Sequence, residues 1–320
     1  MVRRATVHAM TTPGTTRTPL PPLPPGDRLE TVATWDGAVP YQDLRPQIIV
    51  PSAYRPAAPP TVLAVANQKG GAGKTTTTVE LAGAWAAAGY RVRVIDGDHQ
   101  EAALSAWLLP QYPDGQEPHS LRSVFFDECS LTEATYPTRY EGVDIVPSGL
   151  DLARVEYERP IGAEQALAAA LAQEAEEHGG RSPYDVTLVD SAPSLGLVTV
   201  AALTAADAVV VPVRTGGLDM KGMASLHRTI RSVQRRTNPK LVVSAVLLTA
   251  WDKSTFARDL TTQVTRDYPE AAVVPVRRSV RAAEAPLAEA PVRLYAPDAT
   301  TAADYDQAAA VILPAREVAA

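Results

Sequence analysis

The sequence predicts an α/β fold: a mostly parallel, twisted sheet with helices on both faces, preceded by a proline-rich N-terminal extension. Three observations carry this expectation. From residue 61 onward, short apolar β-branched runs alternate with stretches of helical period, the pattern of crossover units on a parallel sheet. A glycine-rich turn separates the first such run from the first helical stretch. Finally, residues 1–60 hold 12 of the 28 prolines, and proline fixes φ and removes a ladder donor.

The extension, residues 1–60, includes PLPPLPP at 19–25, which reads as solvated, largely disordered chain with polyproline II character. A plain tether and a docking segment both fit it. TVATWDGAVPYQDL carries Trp35 and Tyr41, which a linker does not need, and with Leu44, Ile48 and Ile49 they are candidates for local packing.

Residues 61–320 are expected to form one domain. TVLAVA is a short apolar run of the kind a buried parallel strand requires. In TTTTVELAGAWAAAGY, Val79, Leu81, Ala82, Trp85 and Ala86 recur at helical spacing and Gly89 sits where a C-cap belongs. RVRVID is the next strand. Later strands are expected at 142–148, 184–190, 207–213 and 241–250, with a weaker one at 271–276. Helices are expected at 162–179 and 221–237. Five or six such strands fill residues 61–313.

Composition removes several classes. The single cysteine, Cys129, excludes a disulfide scaffold and a thiolate-held zinc or iron–sulfur site within one chain. No run of about 18 apolar residues exists, so no helix is expected to span a membrane. The N-terminus lacks the apolar stretch of a secretory signal, and a cytoplasmic location is expected.

The chemistry centres on Lys69-Gly70-Gly71-Ala72-Gly73-Lys74-Thr75-Thr76, between strand and helix. Backbone N–H groups can crowd round a phosphate only where side chains do not block them, hence the glycines. The helix that follows points its positive end at the anion. Lys74 supplies a point charge for the β/γ-phosphates, and Thr75 offers a hydroxyl to Mg²⁺. A chance match of this length has a probability on the order of 10⁻⁵. This is a P-loop NTPase arrangement with two departures: Gln68 stands where the usual motif has its first glycine, and Lys69 is an additional lysine. Two of the chain's five lysines flank this loop.

Two further acidic turns follow strands. RVRVID runs into Asp96-Gly97-Asp98-His99-Gln100, where a carboxylate can bind Mg²⁺ through water or orient an attacking water; alone, this could equally be a solvated turn. YDVTLVD ends in Asp190, the Walker B pattern of an apolar strand followed by an acid that holds Mg²⁺ through its water shell.

The run VANQKGGAGKTTTTVELA resembles the ParA/MinD group of ATPases with a deviant Walker A motif, and the resemblance to the ParA family covers about residues 61–313. It implies that Lys74 acts in cis, and that Lys69 reaches in trans to the partner's nucleotide in an ATP-dependent homodimer. Asp96-Gly97-Asp98-His99-Gln100 resembles the family's D-x-D-P-Q switch, which implies that Asp98 positions the hydrolytic water and that Asp96 lies near the metal. His99 takes the place of proline and removes its fixed φ. Asp190-Ser191-Ala192-Pro193-Ser194 resembles D-x-P-P-S with one proline fewer. RRSVRAAEAPLAEAPVRLYAPDATTAADYDQAA resembles the family's C-terminal P-R-N-V-R-L-S-E-A-P segment and tyrosine-containing tail, which lies near the adenine in relatives.

Charge distribution points to a partner. Residues 226–281 carry eleven Lys/Arg against four acids, +7 in a chain of net charge −6. Arg228, Arg231 and Arg235 are spaced to share one helix face, and Arg258, Arg277, Arg278 and Arg281 follow. Such a stripe suits the DNA backbone; a solvated helix face is the bland alternative. The resemblance implies an ATPase of plasmid or chromosome partitioning. Its ATP dimer would bind DNA without sequence preference at the nucleoid, and a ParB-like centromere-binding protein would stimulate hydrolysis. A MinD-like spatial regulator, or another cargo-positioning ATPase, is the alternative. The membrane-binding form needs a basic amphipathic C-terminal helix, and YDQAAAVILPAREVAA carries one cation and Pro314.

Overall fold

The computed structural model describes residues 17–20, 32–33, 47–100, 102–115, 117–216 and 220–314. The sheet is built on parallel strands β1 (Thr61–Val65), β2 (Val92–Gly97), β3 (Val143–Val146), β4 (Val186–Ser191), β5 (Ala208–Arg214), β6 (Val242–Trp251) and β7 (Ala272–Arg277). They lie side by side as β7-β6-β5-β1-β4-β2-β3. All seven runs named from the sequence are strands of it, against the five or six counted for the domain. The weakest run in the sequence, β7, is a full member. Pro275 costs it a donor, yet Val273 and Val274 are fully buried on opposite faces.

Alternation along β1 explains why helices cover both faces. Leu63 and Val65 pack with α1 (Lys74–Ala87) and α6 (Thr300–Ile312). Ala64 and Ala66 face the side covered by α4 (Met220–Arg236) and α5 (Thr255–Asp267). On that same side of β2 and β4, Ile95 and Val189 pack with α2 (Ala163–Glu177) and α3 (Leu197–Ala205). Helix α1 ends as its sequence requires. Gly89 takes φ 84, with Gly89 N–H donating to Ala86 and Tyr90 N–H to Trp85 (both 3.0 Å), the paired bonds of a glycine-terminated helix.

The chain leaves β1 toward β2, and leaves β4 toward β5 on the other side of β1. A crevice therefore opens at the carboxyl ends of β1 and β4, the switch point where such sheets hold ligands. Toward the opposite, amino-terminal end of these strands, Arg93 of β2 is buried on the α2 side. It donates to Glu174 (2.6 Å) and Thr187 (3.4 Å) and stacks over Tyr184.

Packing extends upstream of the boundary drawn at residue 60 from proline content. Ile48–Ile49 pairs antiparallel with β7, and Val32–Ala33 lies parallel beside it. Tyr54 is buried and donates to the Val311 carbonyl (3.0 Å), and Ala57 N–H donates to Ile312 (2.8 Å). Proline tolerates this because Pro46 and Pro51 flank the paired residues Ile48–Ile49 in the sequence and take no donor from the ladder. At the opposite edge, Tyr136–Pro137 pairs antiparallel with β3, and Arg17 donates to the carbonyls of Tyr140 and Val143 and to Asp144. The expectations for residues 21–25, Trp35, Tyr41 and Leu44 lie outside the described residues.

Candidate functional site

The loop from Ala66 to Gly73 joins β1 to α1. Asn67 fixes its first turn: the side-chain amide donates to the Pro212 carbonyl (2.7 Å), and its oxygen accepts from Lys69 N–H (3.1 Å). Gly71 and Gly73 adopt φ 71 and 94, a region open to glycine and strained for other residues. Gly73 is constrained by space as well, since an added Cβ would sit 3.3 Å from the Thr249 methyl. Thr249 of β6 also donates its hydroxyl to the Ala72 carbonyl (2.8 Å). Gly70 and Gly71 are exposed at the loop tip. Lys74 is buried and its ammonium donates to the Lys69 carbonyl (3.4 Å). Lys69 is half-buried, as are Thr75 and Thr76 on the first turn of α1. That turn holds no acidic residue, so the positive end of the helix is available to an anion.

Strand register brings the acids together. Asp190 is paired with Asp96 on one side and with Val65 on the other. The Thr75 hydroxyl donates to Asp190 Oδ2 (2.7 Å), while Asp190 Oδ1 is buried with no hydrogen-bond partner. Burial pushes the Asp190 carboxyl up to about 8; the Thr75 bond pulls against it, and the Asp96 charge adds to it. Asp96 is engaged in its own turn, accepting from Ser105 N–H (2.9 Å), Ser105 Oγ (2.6 Å) and Asp98 N–H (3.1 Å). Burial raises it to about 6. Asp98 is buried and accepts from Gln100 N–H (2.9 Å).

An orphaned carboxylate oxygen beside a hydroxyl is an all-oxygen donor set of the kind Mg²⁺ prefers. Among the described residues no group of three or more His, Cys, Asp or Glu side chains forms a metal cage. The donor set therefore fits an ion that takes most of its ligands from phosphate and water, of which Thr75 and Asp190 could supply the protein's share.

The predicted DNA-contacting arginines do not form one uniform surface. Arg228, Arg231 and Arg235 are exposed along α4, and Arg278 is exposed beyond β7. Arg258 is half-buried on α5. Arg277 is committed to Asp304: its backbone N–H and guanidinium donate to that carboxylate, the closest bond being 2.6 Å. Arg281 is paired with Glu284 (2.8 Å), which also accepts from Tyr295. A guanidinium already neutralised in this way offers less to a phosphate than an exposed one.

Comparison with known proteins places this geometry. A family model described as an AAA domain matches residues 60–243, a span that contains the phosphate loop and both acidic turns. The chromosome partitioning protein ParA of Caulobacter vibrioides is 38% identical over 244 residues, covering 74% of this chain and 88% of that protein. The chain belongs to the ParA family. A second relative, the sporulation initiation inhibitor protein Soj of Bacillus subtilis, is 35% identical over 253 residues, covering 76% of this chain and 94% of that protein. A solved structure of similar fold is cobyrinic acid a,c-diamide synthase from Mycobacterium smegmatis with bound ADP and magnesium. It shows 33% identity and a TM-score of 0.64, covering 78% of this chain and 92% of that one.

Within the ParA frame, some functional neighbours carry no sequence signal of their own. Asn67 lies inside the VANQKGGAGKTTTTVELA run, but the contacts that Ser105 and Thr249 make at the site are marked by no local spacing. Thr249 lies 177 residues from its partner Ala72, and only the β5–β6 pairing brings it there.

Proposed function

We propose that this chain is a partitioning ATPase that binds ATP with Mg²⁺, dimerises on it, holds DNA without sequence preference and lets go on hydrolysis. The Thr75–Asp190 pair, at the mouth of a loop bearing both Lys69 and Lys74, carries the reading. The loop amides and the N-terminus of α1 would cradle the phosphates, with Lys74 beside the β/γ bridge. Mg²⁺, held by Thr75 and Asp190, would supply neutralisation of the charge that builds on the phosphate oxygens. Asp98 would orient the water that attacks the γ-phosphorus as ADP leaves. Lys69 would reach the nucleotide of a second copy, so that a complete site exists only in the dimer. His99, where relatives carry proline, gives the Asp98 turn a freer φ.

DNA contact is assigned to the exposed stripe Arg228, Arg231 and Arg235 and to Arg278, with Arg258, Arg277 and Arg281 as secondary cations. Dimerisation would double the cations along one DNA track, an avidity gain without new contacts. A ParB-like protein is the partner this reading calls for, and a nucleoid location in the cytoplasm follows from it. The MinD-like alternative requires membrane attachment. Among the described residues no helix is long and apolar enough to cross a membrane; the last six residues lie outside them.

The test is DNA binding with ATP, with ADP and without nucleotide. Binding only with ATP, equal for all sequences and falling steeply between about 50 and 200 mM salt, is expected. Asp98→Ala should hydrolyse slowly and hold DNA longer. Equal binding with ADP, or preference for one sequence, contradicts the proposal.

A further inference from the structure

Downstream of β3, one short segment touches the Asp98 turn and the helix that follows the Asp190 turn. Its first contact is Ser148, whose hydroxyl donates to the Asp98 carbonyl (3.3 Å) and whose N–H donates to Ser105 Oγ (3.0 Å). Its second is Glu156, on the short helix Ala153–Glu158. The Glu156 carboxylate accepts from the backbone N–H groups of Leu197 (2.9 Å) and Val198 (3.2 Å). These are the first residues of α3, the helix that follows the loop from Asp190, and they have no other cap: Gly196 offers no side chain. A carboxylate from elsewhere in the chain therefore does what an N-cap residue ordinarily does.

Three features make this a built contact. Gly196 sits at φ −78, a conformation any residue can adopt, yet an added Cβ would collide with the Glu156 carboxylate. Glycine is there for space, not for backbone freedom. Leu152 and Val155, just ahead of Glu156 in the chain, are fully buried in the α2–α3 core, so the segment is anchored. The loop between Asp190 and α3 is tied at two other points: Ser191 Oγ donates to Val65 (2.7 Å), and Thr199 Oγ1 donates to Ser194 (2.8 Å).

We propose that Glu156 is a positioning residue for the ATPase site: by capping α3 it fixes the far end of the loop that follows Asp190, and with Ser148 it makes residues 148–156 a yoke between that loop and the Asp98 turn. The inference rests on the ATPase reading above. Glu156 touches neither nucleotide nor metal in this scheme, and its effect passes through backbone. The outer side of the same segment carries Leu150 and Tyr157, both largely exposed, so the yoke is reachable from solvent.

The experiment is a double-mutant cycle on the full chain. Glu156→Ala removes the cap. Gly196→Ala leaves Glu156 in place but drives its carboxylate out with a methyl group. Each should lower single-turnover ATP hydrolysis about tenfold, leave ATP affinity within about twofold, and speed hydrogen exchange at Leu197 and Val198. The two together should be no worse than either alone, because both break one contact. Glu156→Gln, which keeps one acceptor, should recover part of the rate. Additive losses, or faster exchange with hydrolysis unchanged, overturn the proposal and leave Glu156 as a cap alone. A wild type that binds ATP without turning it over instead defeats the ATPase reading. The yoke is then judged by whether both variants weaken Mg²⁺-dependent nucleotide affinity alike, and unchanged affinity overturns it.

Discussion

Thr249 holds the phosphate loop from the outside: its hydroxyl donates to the Ala72 carbonyl at 2.8 Å while its methyl fills the space where Gly73 has no Cβ. One side chain on β6 thus fixes two consecutive loop residues. Thr249→Val keeps the shape and leaves a buried carbonyl without a donor, a cost of about 1–3 kcal/mol. ATP affinity should fall about tenfold by calorimetry. Thr249→Ser keeps the hydroxyl and should bind within a few-fold of wild type.

The two loop lysines should fail differently. Lys74 is buried at the loop's base while Lys69 is half-buried at its shoulder. Lys74→Ala removes a charged donor and should weaken nucleotide binding about 10–100-fold. Lys69→Ala should leave binding to the monomer largely intact and abolish the ATP-dependent dimer, read by light scattering. Equal loss of affinity in both variants is incompatible with a role for Lys69 in trans.

Glu174→Ala should be among the costliest substitutions away from the site. It strands Arg93, which has no solvent exposure, and removes the acceptor of the Thr132 hydroxyl. Breaking one side of a buried pair costs about 3–5 kcal/mol, readable by denaturant unfolding. Arg93→Met with Glu174→Leu should recover most of the loss, because a buried ion pair gains little over a packed apolar one.

Stability should fall with rising pH, and Glu80 should be one cause. Burial lifts this carboxyl on α1 from 4.5 to about 8, against the Val292 N–H bond and the Arg293 charge, with Asp306 adding to the rise. The folded state therefore holds its proton more tightly than the unfolded chain. The stability it contributes is fully present below about pH 4.5 and is lost as pH rises through about 8. Glu80→Gln keeps an acceptor for Val292 N–H and does not titrate. Its melting temperature should match wild type near pH 5 and exceed it near pH 9. Asp96 and Asp190 carry the same sign, but they titrate in both proteins and drop out of the difference.

The sequence by itself determined what depends on neighbours along the chain. A phosphate loop is contiguous because successive amides must surround one anion, so residues 69–76 are legible directly. Strand-terminal acids are legible because a two-residue period and an abrupt change to carboxylate need only a few positions, and Gly89 is legible as a helix stop for the same local reason. Tertiary structure decided what depends on distance. The parallel order β5-β1-β4-β2 sets Asp190 beside both Val65 and Asp96. The pairing of β6 with β5 brings Thr249 to Ala72, and core packing of Leu152 and Val155 brings Glu156 to α3, from 177 and 41 residues away. Tertiary structure showed that Ile48 and Ile49, candidates for local packing on composition, are members of the sheet and that Tyr54 is buried with them, because the partners that cover them come from β7 and the C-terminal helix far along the chain. And it split the arginines that composition had grouped: Arg277 and Arg281 meet carboxylates supplied by the fold, whereas Arg228, Arg231 and Arg235 face solvent, since a helix buries one side and presents the other.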